Sequence, residues 1–307
     1  MTSLRAPRSL SLICGVRSVH FGVTNLESAL DFFKQGWGLT PLDGAEGFVH
    51  LRGTGPDAYV VALQQRAQTE VLRVDLRATD KAAVDALHAR LAEAGARDLS
   101  SPGMIADYGG GYGFTVRDPE GRLLGIVAED HRHADTQDAI DRPRKISHVV
   151  MNTSDAPTVE AFYTQTLGFR LVDRSRRITF LNCNSDHHSV ALVPGNHTAL
   201  HHIAFEVPSF DALMRGVGRL REYGTDIAWG VGRHGPGNNI FSYFVGPELL
   251  PLEYTTEVQQ IDETYRVGSP DDWKPLPGRM DQWGATSAPS PAMGKAEQSV
   301  RFSPEPY

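Results

Sequence analysis

Two imidazoles and a carboxylate gathered on one strand face can hold a divalent metal. In this chain of 307 residues and twelve histidines, His148, His202 and Glu253 are the candidates. Such a facial triad suits iron(II) and leaves positions open for other ligands. Each residue also has a plainer reading. His148 lies in the apolar run Ser147-His148-Val149-Val150, where it can be a core histidine with a partner of its own. Glu253 can be an exposed strand carboxylate, although its neighbours Leu252 and Tyr254 make burial costly unless it is paired or metal-bound. His202 has a rival next to it. Residues two apart share a strand face, so His201, Ile203, Phe205 and Val207 form one row and His202, Ala204 and Glu206 the other. The apolar row belongs under helices. That leaves His202 for an open cleft, with His201 as the alternative.

The elements that must position these residues come twice. Ser18-Val19-His20-Phe21-Gly22-Val23 reads as a strand, followed by an amphipathic helix with Leu30, Phe32 and Phe33, then Trp37-Gly38-Leu39. The plan returns with the strand at Ser147, a helix over 158–166 carrying Phe162 and Tyr163, and Leu167-Gly168-Phe169. Each half goes on to a strand (71–76 or 200–207) and a helix. The helices are Lys81–Glu93 and Phe210–Tyr223, with Val84, Leu87, Leu91 and Leu213, Val217, Leu220 at helical spacing. Two further strands follow a Gly-rich segment in each half, 113–117 with 123–127 and 241–245 with 252–256. The polar, helix-breaking stretch Asp141-Arg142-Pro143-Arg144 reads as a linker.

This order resembles the vicinal oxygen chelate superfamily. The resemblance implies an α+β fold of paired β-α-β-β-β modules in two tandem domains, each a curved mixed sheet around a cleft. It spans about residues 15–260. The expected division is a first domain over 15–140 that has lost its metal, a metal-binding domain over 145–260, and a Pro-rich tail over 262–307 serving as lid or subunit contact. Aligning the halves places Arg73 opposite His202 and Gly125 opposite Glu253, so only His20 survives of a first-half triad. One complete half after an incomplete one is similar to the two-domain extradiol ring-cleavage dioxygenases. Three further stretches carry that likeness: Asp186-His187-His188-Ser189, Arg233-His234-Gly235, and Tyr243, nine residues after His234 and ten before Glu253. The family's pattern implies that His188 stands beside the oxygen site. It places His234 and Tyr243 against the substrate; Phe241, between them in sequence, is a further substrate-binding candidate on its own residue type. Taken singly, the three can be a strand histidine, a turn residue and a core aromatic. One departure is plain. The family's Asp-Pro-x-Gly turn survives as Asp118-Pro119-Glu120-Gly121 in the first half but reads Gly246-Pro247-Glu248-Leu249 before Glu253.

The resemblance implies iron(II), with manganese(II) as the other candidate, and a catecholic substrate with O2. Trp229, Ile240, Phe241, Trp273 and Trp283 suggest an apolar aryl substituent on that substrate. Two rivals belong to the same superfamily. A glyoxalase- or epimerase-type metal enzyme collects ligands from both halves, which Arg73 and Gly125 oppose. A metal-free protein that sequesters a planar ligand has no use for the triad. A formal charge of −7 speaks against nucleic acid or an anionic membrane as partner, and no apolar run approaches a membrane span. With 40% hydrophobic and 22% charged residues and only Cys14 and Cys183, the chain reads as a soluble cytoplasmic protein, expected as a homo-oligomer.

Overall fold

The computed structural model describes residues 11–45, 47–133, 139–274 and 277–305. Arg5 and Arg8 before the first strand, residues 134–138 of the first domain and Tyr307 of the tail lie outside the described residues. The first half contributes β1 (Ile13–Val23), β2 (Thr40–Ala45), β3 (Phe48–Arg52), β4 (Val61–Gln65), β5 (Glu70–Ala78), β6 (Gly103–Met104), β7 (Tyr112–Arg117) and β8 (Leu123–Ala128). The second contributes β9 (Lys145–Thr153), β10 (Arg170–Arg174), β11 (Thr179–Asn182), β12 (Val190–Pro194), β13 (Ala199–Glu206), β14 (Trp229–Arg233), β15 (Ile240–Val245) and β16 (Pro251–Thr256). The two sheets have one plan. Their orders are β2-β3-β4-β1-β5-β8-β7-β6 and β10-β11-β12-β9-β13-β16-β15-β14. In each, a parallel pair (β1 with β4, β9 with β12) marks one module and a second (β5 with β8, β13 with β16) the other. This is the paired β-α-β-β-β arrangement of an α+β fold.

The helices are α1 (Leu26–Asp31), α2 (Lys81–Glu93), α3 (Ala156–Ala161), α4 (Phe210–Tyr223) and α5 (Pro291–Ser299). Side-chain caps start α2 and α4: Asp80 accepts from the Ala83 N–H and Ser209 from the Ala212 N–H. The helix expected over 158–166 is instead two pieces. Asp155 caps α3 from Ala156, and the chain then widens into a π-helical turn over Phe162–Thr166. A turn of the same kind, Phe32–Gly36, follows α1. Bonds from Trp37 N–H to Phe32 O and from Leu167 N–H to Phe162 O close the two turns. Gly38 (φ +89°) and Gly168 (φ +83°) then reverse the chain in the left-handed region, which explains a glycine at both places.

A continuous core runs through both halves. Trp37 enters the second half, stacking on Tyr254 with ring centroids 4.0 Å apart and meeting Phe205 and Phe244 edge-on. Two glutamates clasp the halves reciprocally. Glu120 of the first half accepts from the N–H groups of Ser154 and Asp155, which lead into α3. Glu248 of the second accepts from those of Thr24 and Asn25, which lead into α1. The departing turn 246–249 thus keeps the proline and the glutamate that makes the clasp, and loses the aspartate and the glycine. Glu248 and Leu249 take positive φ in its place.

The tail returns over the body. Tyr265 and Gly268 reach Asp173, α5 packs across β13, β15 and β16, and β17 (Arg301–Phe302) adds in parallel to β5 of the first sheet.

Candidate metal centre

A single row crosses five strands. Trp229 on β14 pairs with Tyr243 on β15, Tyr243 with Glu253 on β16, Glu253 with Ala204 on β13, and Ala204 with His148 on β9. Directly paired residues share a face, and His202 joins this one from two residues before Ala204. His148 Nε2 and His202 Nε2 lie 3.4 and 3.1 Å from Glu253 Oε2, all with buried side chains. Their ligand atoms lie within 4.8 Å of one another, and among the described residues this is the one group of three so placed. His202 Nε2 and Glu253 Oε2 are buried with no hydrogen-bond partner. They are close without being aimed at each other. Donors about 2.1 Å from one ion and at right angles stand about 3.0 Å apart. The orphaned atoms and their spacing therefore fit a divalent ion at the point where they converge.

The carboxylate divides its two oxygens. Oε2 faces the imidazoles, while Oε1 accepts from Asn239 Nδ2 at 3.3 Å. Asn239 also donates to Thr255 Oγ1 at 2.8 Å and is itself fully buried. Burial alone would raise the Glu253 pKa, but the imidazoles of His148 and His202 hold it well below the usual carboxylate range. Burial lowers the pKa of His202, which favours the neutral ring that binds metals.

His201 does not pack under the helices as the alternating row implies. A register shift between Leu200 and His202 breaks the alternation. His201 instead sits partly exposed, its Nδ1 2.8 Å from His202 Nδ1 and 3.8 Å from Glu297 Oε1 of α5.

The equivalent place in the first half is filled by other groups. Asp75 pairs with Gly125 as Ala204 pairs with Glu253. A Cβ at Gly125 would lie 2.1 Å from Asp75 Oδ1, so the Asp75 carboxylate already fills the place of a ligand there. Arg73 donates to Asp75 Oδ1 at 2.6 Å and to Asp107 at 2.5 Å, with its Nη2 3.3 Å from His20 Nε2. His20 Nε2 is 2.8 Å from Asp75 Oδ2. A guanidinium supplies the positive charge that an ion would bring. Burial, then the Arg73 charge, lowers the His20 pKa to about 4.

The three residues expected to work beside the triad are brought to it. The His188 ring lies against that of His148, centroids 4.2 Å apart, and the Tyr243 ring meets His202 edge-on at 5.0 Å. His234 Nε2 is 3.1 Å from the Tyr243 hydroxyl, and its ring stacks on Phe241 at 3.9 Å. Burial lowers the His234 pKa to about 4, and burial with the Glu253 charge raises that of Tyr243, so the pair is neutral. Gly237 (φ +80°) lets the chain pass His188, whose ring would lie 3.1 Å from a Cβ there. Trp229, Phe241, Tyr243 and Met293 of α5 form an apolar cluster over the site. Of the other apolar residues expected at the substrate, Trp273 lies beside Gly235, its ring 3.4 Å from where a Cβ would stand, and two lie elsewhere. Ile240 belongs to the core beneath the sheet, because it alternates with Phe241. Trp283 packs on Phe210 outside the cleft. Sequence reasoning missed Asn239 and Met293. Asn239 had a signal, since it immediately precedes the strand whose partner carries Glu253; Met293 had none.

Residues 145–248 match the Glyoxalase/Bleomycin resistance protein/Dioxygenase superfamily. Metapyrocatechase 2 of Cupriavidus necator is 34% identical over 122 residues, 39% of this chain and 38% of that protein. An iron-dependent extradiol dioxygenase of Rhodococcus jostii (strain RHA1) is 25% identical over 172 residues, 49% of this chain and 57% of its own. The chain thus spans less than two thirds of either curated relative. The crystal structure of a Mn(II)-bound glyoxalase from Novosphingobium aromaticivorans superposes with a TM-score of 0.84 at 35% identity, covering 92% of this chain and 94% of that one. With a relative of that identity matched along nearly its whole length, and with the duplicated fold and the convergent triad, the chain belongs to the glyoxalase, bleomycin resistance protein and dioxygenase superfamily.

Proposed function

We propose that this protein opens a catechol-type ring with O2 by extradiol cleavage, at a single iron(II) held by His148, His202 and Glu253. The observation that carries the reading is the company the triad keeps: His188 on one side, His234 and Tyr243 on the other, under an aromatic roof. A bound iron(II) would supply adjacent open positions for the two oxygens of a catecholate and for O2, together with the electrons that activate O2. The protein's own residues do the rest. Trp229 and Phe241 offer flat apolar surface to an aromatic ring. Tyr243 and His234 are a neutral hydrogen-bonded pair able to fix a substrate oxygen. His188 is placed to take and return a proton on the opposite side. The apolar cluster, in which Met293 packs with Phe241 and Tyr243, excludes water. The names of the metapyrocatechase and the iron-dependent extradiol dioxygenase support this reading.

A second reading rests on the Mn(II)-bound glyoxalase. On it the triad holds manganese and the substrate is a carbonyl compound rather than a catechol. Metal analysis of purified protein, with O2 uptake on a panel of catechols, separates the two. One iron per chain with a yellow ring-opened product supports ring cleavage. Full manganese occupancy without O2 uptake on any catechol sinks it. Alanine at His148, His202 or Glu253 is expected to empty the site with the fold intact.

A cytoplasmic homo-oligomer completes the proposal. Cys14 and Cys183 are both free, and Phe210, Met214 and Trp283 expose apolar surface that a second copy can cover. Light scattering tests the oligomer.

A further inference from the structure

His188 is backed by a second histidine and a carboxylate. His187 Nδ1 lies 3.1 Å from His188 Nδ1, and His187 Nε2 lies 2.8 Å from Asp173 Oδ2. His187 and Asp173 are fully buried. Asp173 accepts two more hydrogen bonds from the tail, one from the Tyr265 hydroxyl at 3.0 Å and one from the Gly268 N–H at 2.6 Å. Gly268 has no room for a side chain, since a Cβ would come within 2.5 Å of Asp173 Oδ1. Three donors thus converge on one buried carboxylate, and none of the three residues supplying them belongs to the metal triad.

The order of donors along this line is fixed by simple accounting. A neutral imidazole has one N–H and one lone pair. The Asp173 carboxylate accepts, so His187 carries its proton on Nε2. The lone pair of His187 is then on Nδ1, and the contact to His188 closes only if His188 donates from its own Nδ1. The remaining nitrogen of His188, Nε2, is across the ring from His187 and is left as a lone pair.

We propose that Asp173 and His187 are positioning residues that hold His188 as a proton acceptor at Nε2, ready to deprotonate a substrate hydroxyl. This rests on His188 being the residue that handles protons in ring cleavage. In the step, the O–H bond of the hydroxyl breaks, its electron pair stays on oxygen, and the proton forms an N–H bond at His188 Nε2. The positive charge that appears on His188 faces the Asp173 carboxylate through His187. Reversal returns the proton to the substrate side. The tail therefore contributes to the chemistry from behind the site, through Tyr265 and Gly268.

Asp173→Asn tests this with almost no change of shape. An amide N–H in place of the carboxylate oxygen facing His187 reverses the line, so that His188 Nε2 carries the proton and cannot accept one. Steady-state kinetics by O2 electrode, on the iron-loaded enzyme with the best catechol of the panel, should show kcat lowered about 100-fold or more, the usual scale of a general base. The KM should move less than threefold and the iron content should be unchanged. In a His188→Asn background the same exchange should change kcat less than threefold, because a residue acting through His188 has nothing left to act through. If Asp173→Asn alone changes kcat less than threefold, or if its loss multiplies with that of His188→Asn, the proposal is overturned. If Asp173→Asn does not fold, His187→Gln is judged by the same cycle and the same limits. The underlying reading fails separately: a His188→Asn enzyme of full activity would remove His188 from the chemistry whatever Asp173 does.

Discussion

Asn239→Ala measures how far the Glu253 carboxylate depends on support from behind. The exchange removes the Nδ2–H to Glu253 Oε1 contact at 3.3 Å and leaves the other oxygen facing the imidazoles. A hydrogen bond to a charged group is worth about 1.5–3 kcal/mol, and at this length the lower end applies. About 1.5 kcal/mol is roughly tenfold in a binding constant, within the 10- to 100-fold range for residues behind a metal ligand. Folding suffers too. Thr255 Oγ1 keeps its bond to the Ile240 carbonyl and Asn239 Oδ1 has no partner to lose, but Glu253 Oε1 is left buried without its donor. The unfolding free energy should fall by about 1–3 kcal/mol. Titration of metal-free protein with Mn(II), read by the electron paramagnetic resonance of the free ion, gives the Kd directly. A Kd within twofold of the parent refutes the division of labour between the two oxygens. A loss beyond 1,000-fold in a folded protein refutes it too, because Oε1 would then be a ligand in its own right.

Arg73→Ala should destabilise the protein in urea unfolding by less than the roughly 3–5 kcal/mol of a buried charge left unpaired, because Asp75 keeps Arg17 and Ser18, while the metal content of the second half stays at one per chain. His20 gives a pH signature. Its imidazole titrates near 4 when folded and near 6.5 when unfolded, so between these values the unfolded chain binds more protons and stability falls as pH falls. The contribution saturates near pH 4 at about 3 kcal/mol, and a His20→Asn variant should lose that much less stability between pH 7 and 4. His20→Asn should also retain full metal; an emptied site would mean that the first half takes part in binding. Truncation after Thr264 removes Gly268, α5 and β17 and should lower both Tm and activity. Unchanged Tm and an unchanged KM for catechol would show that the tail is not part of the fold or the site.

Much of this was legible because duplication turns one sequence into its own control. The matched runs at His20 and His148 place the strands, and Arg73 and Gly125 locate the missing ligands before any coordinate is known. Strand alternation brings His202 into the cleft. It fails at His201, because a register shift is a local break in the period of two and leaves no trace in residue type. Ile240 was misplaced for the opposite reason, since apolar character alone does not tell the core beneath a sheet from a pocket above it. The π-helical turns after α1 and α3 escape notice because one wider turn does not disturb an apolar stripe. Asp173 is hidden by distance in sequence: its partners are a histidine in the loop before β12 and two tail residues that only the fold assembles.

The glutamate clasps bear on why the silent half is retained. Each copy of the duplicated unit holds the start of a helix in the other, and the clasp from Glu248 also anchors the turn that feeds the ligand strand of Glu253. A deletion of the first half would therefore leave α3 without its acceptor and the 246–249 turn without its donors. An arginine stands in the first half where the second carries His202, yet each half still holds the other. Losing the first unit would unhook a helix start and the turn before Glu253 together, so the first half serves as a template on which the second is shaped.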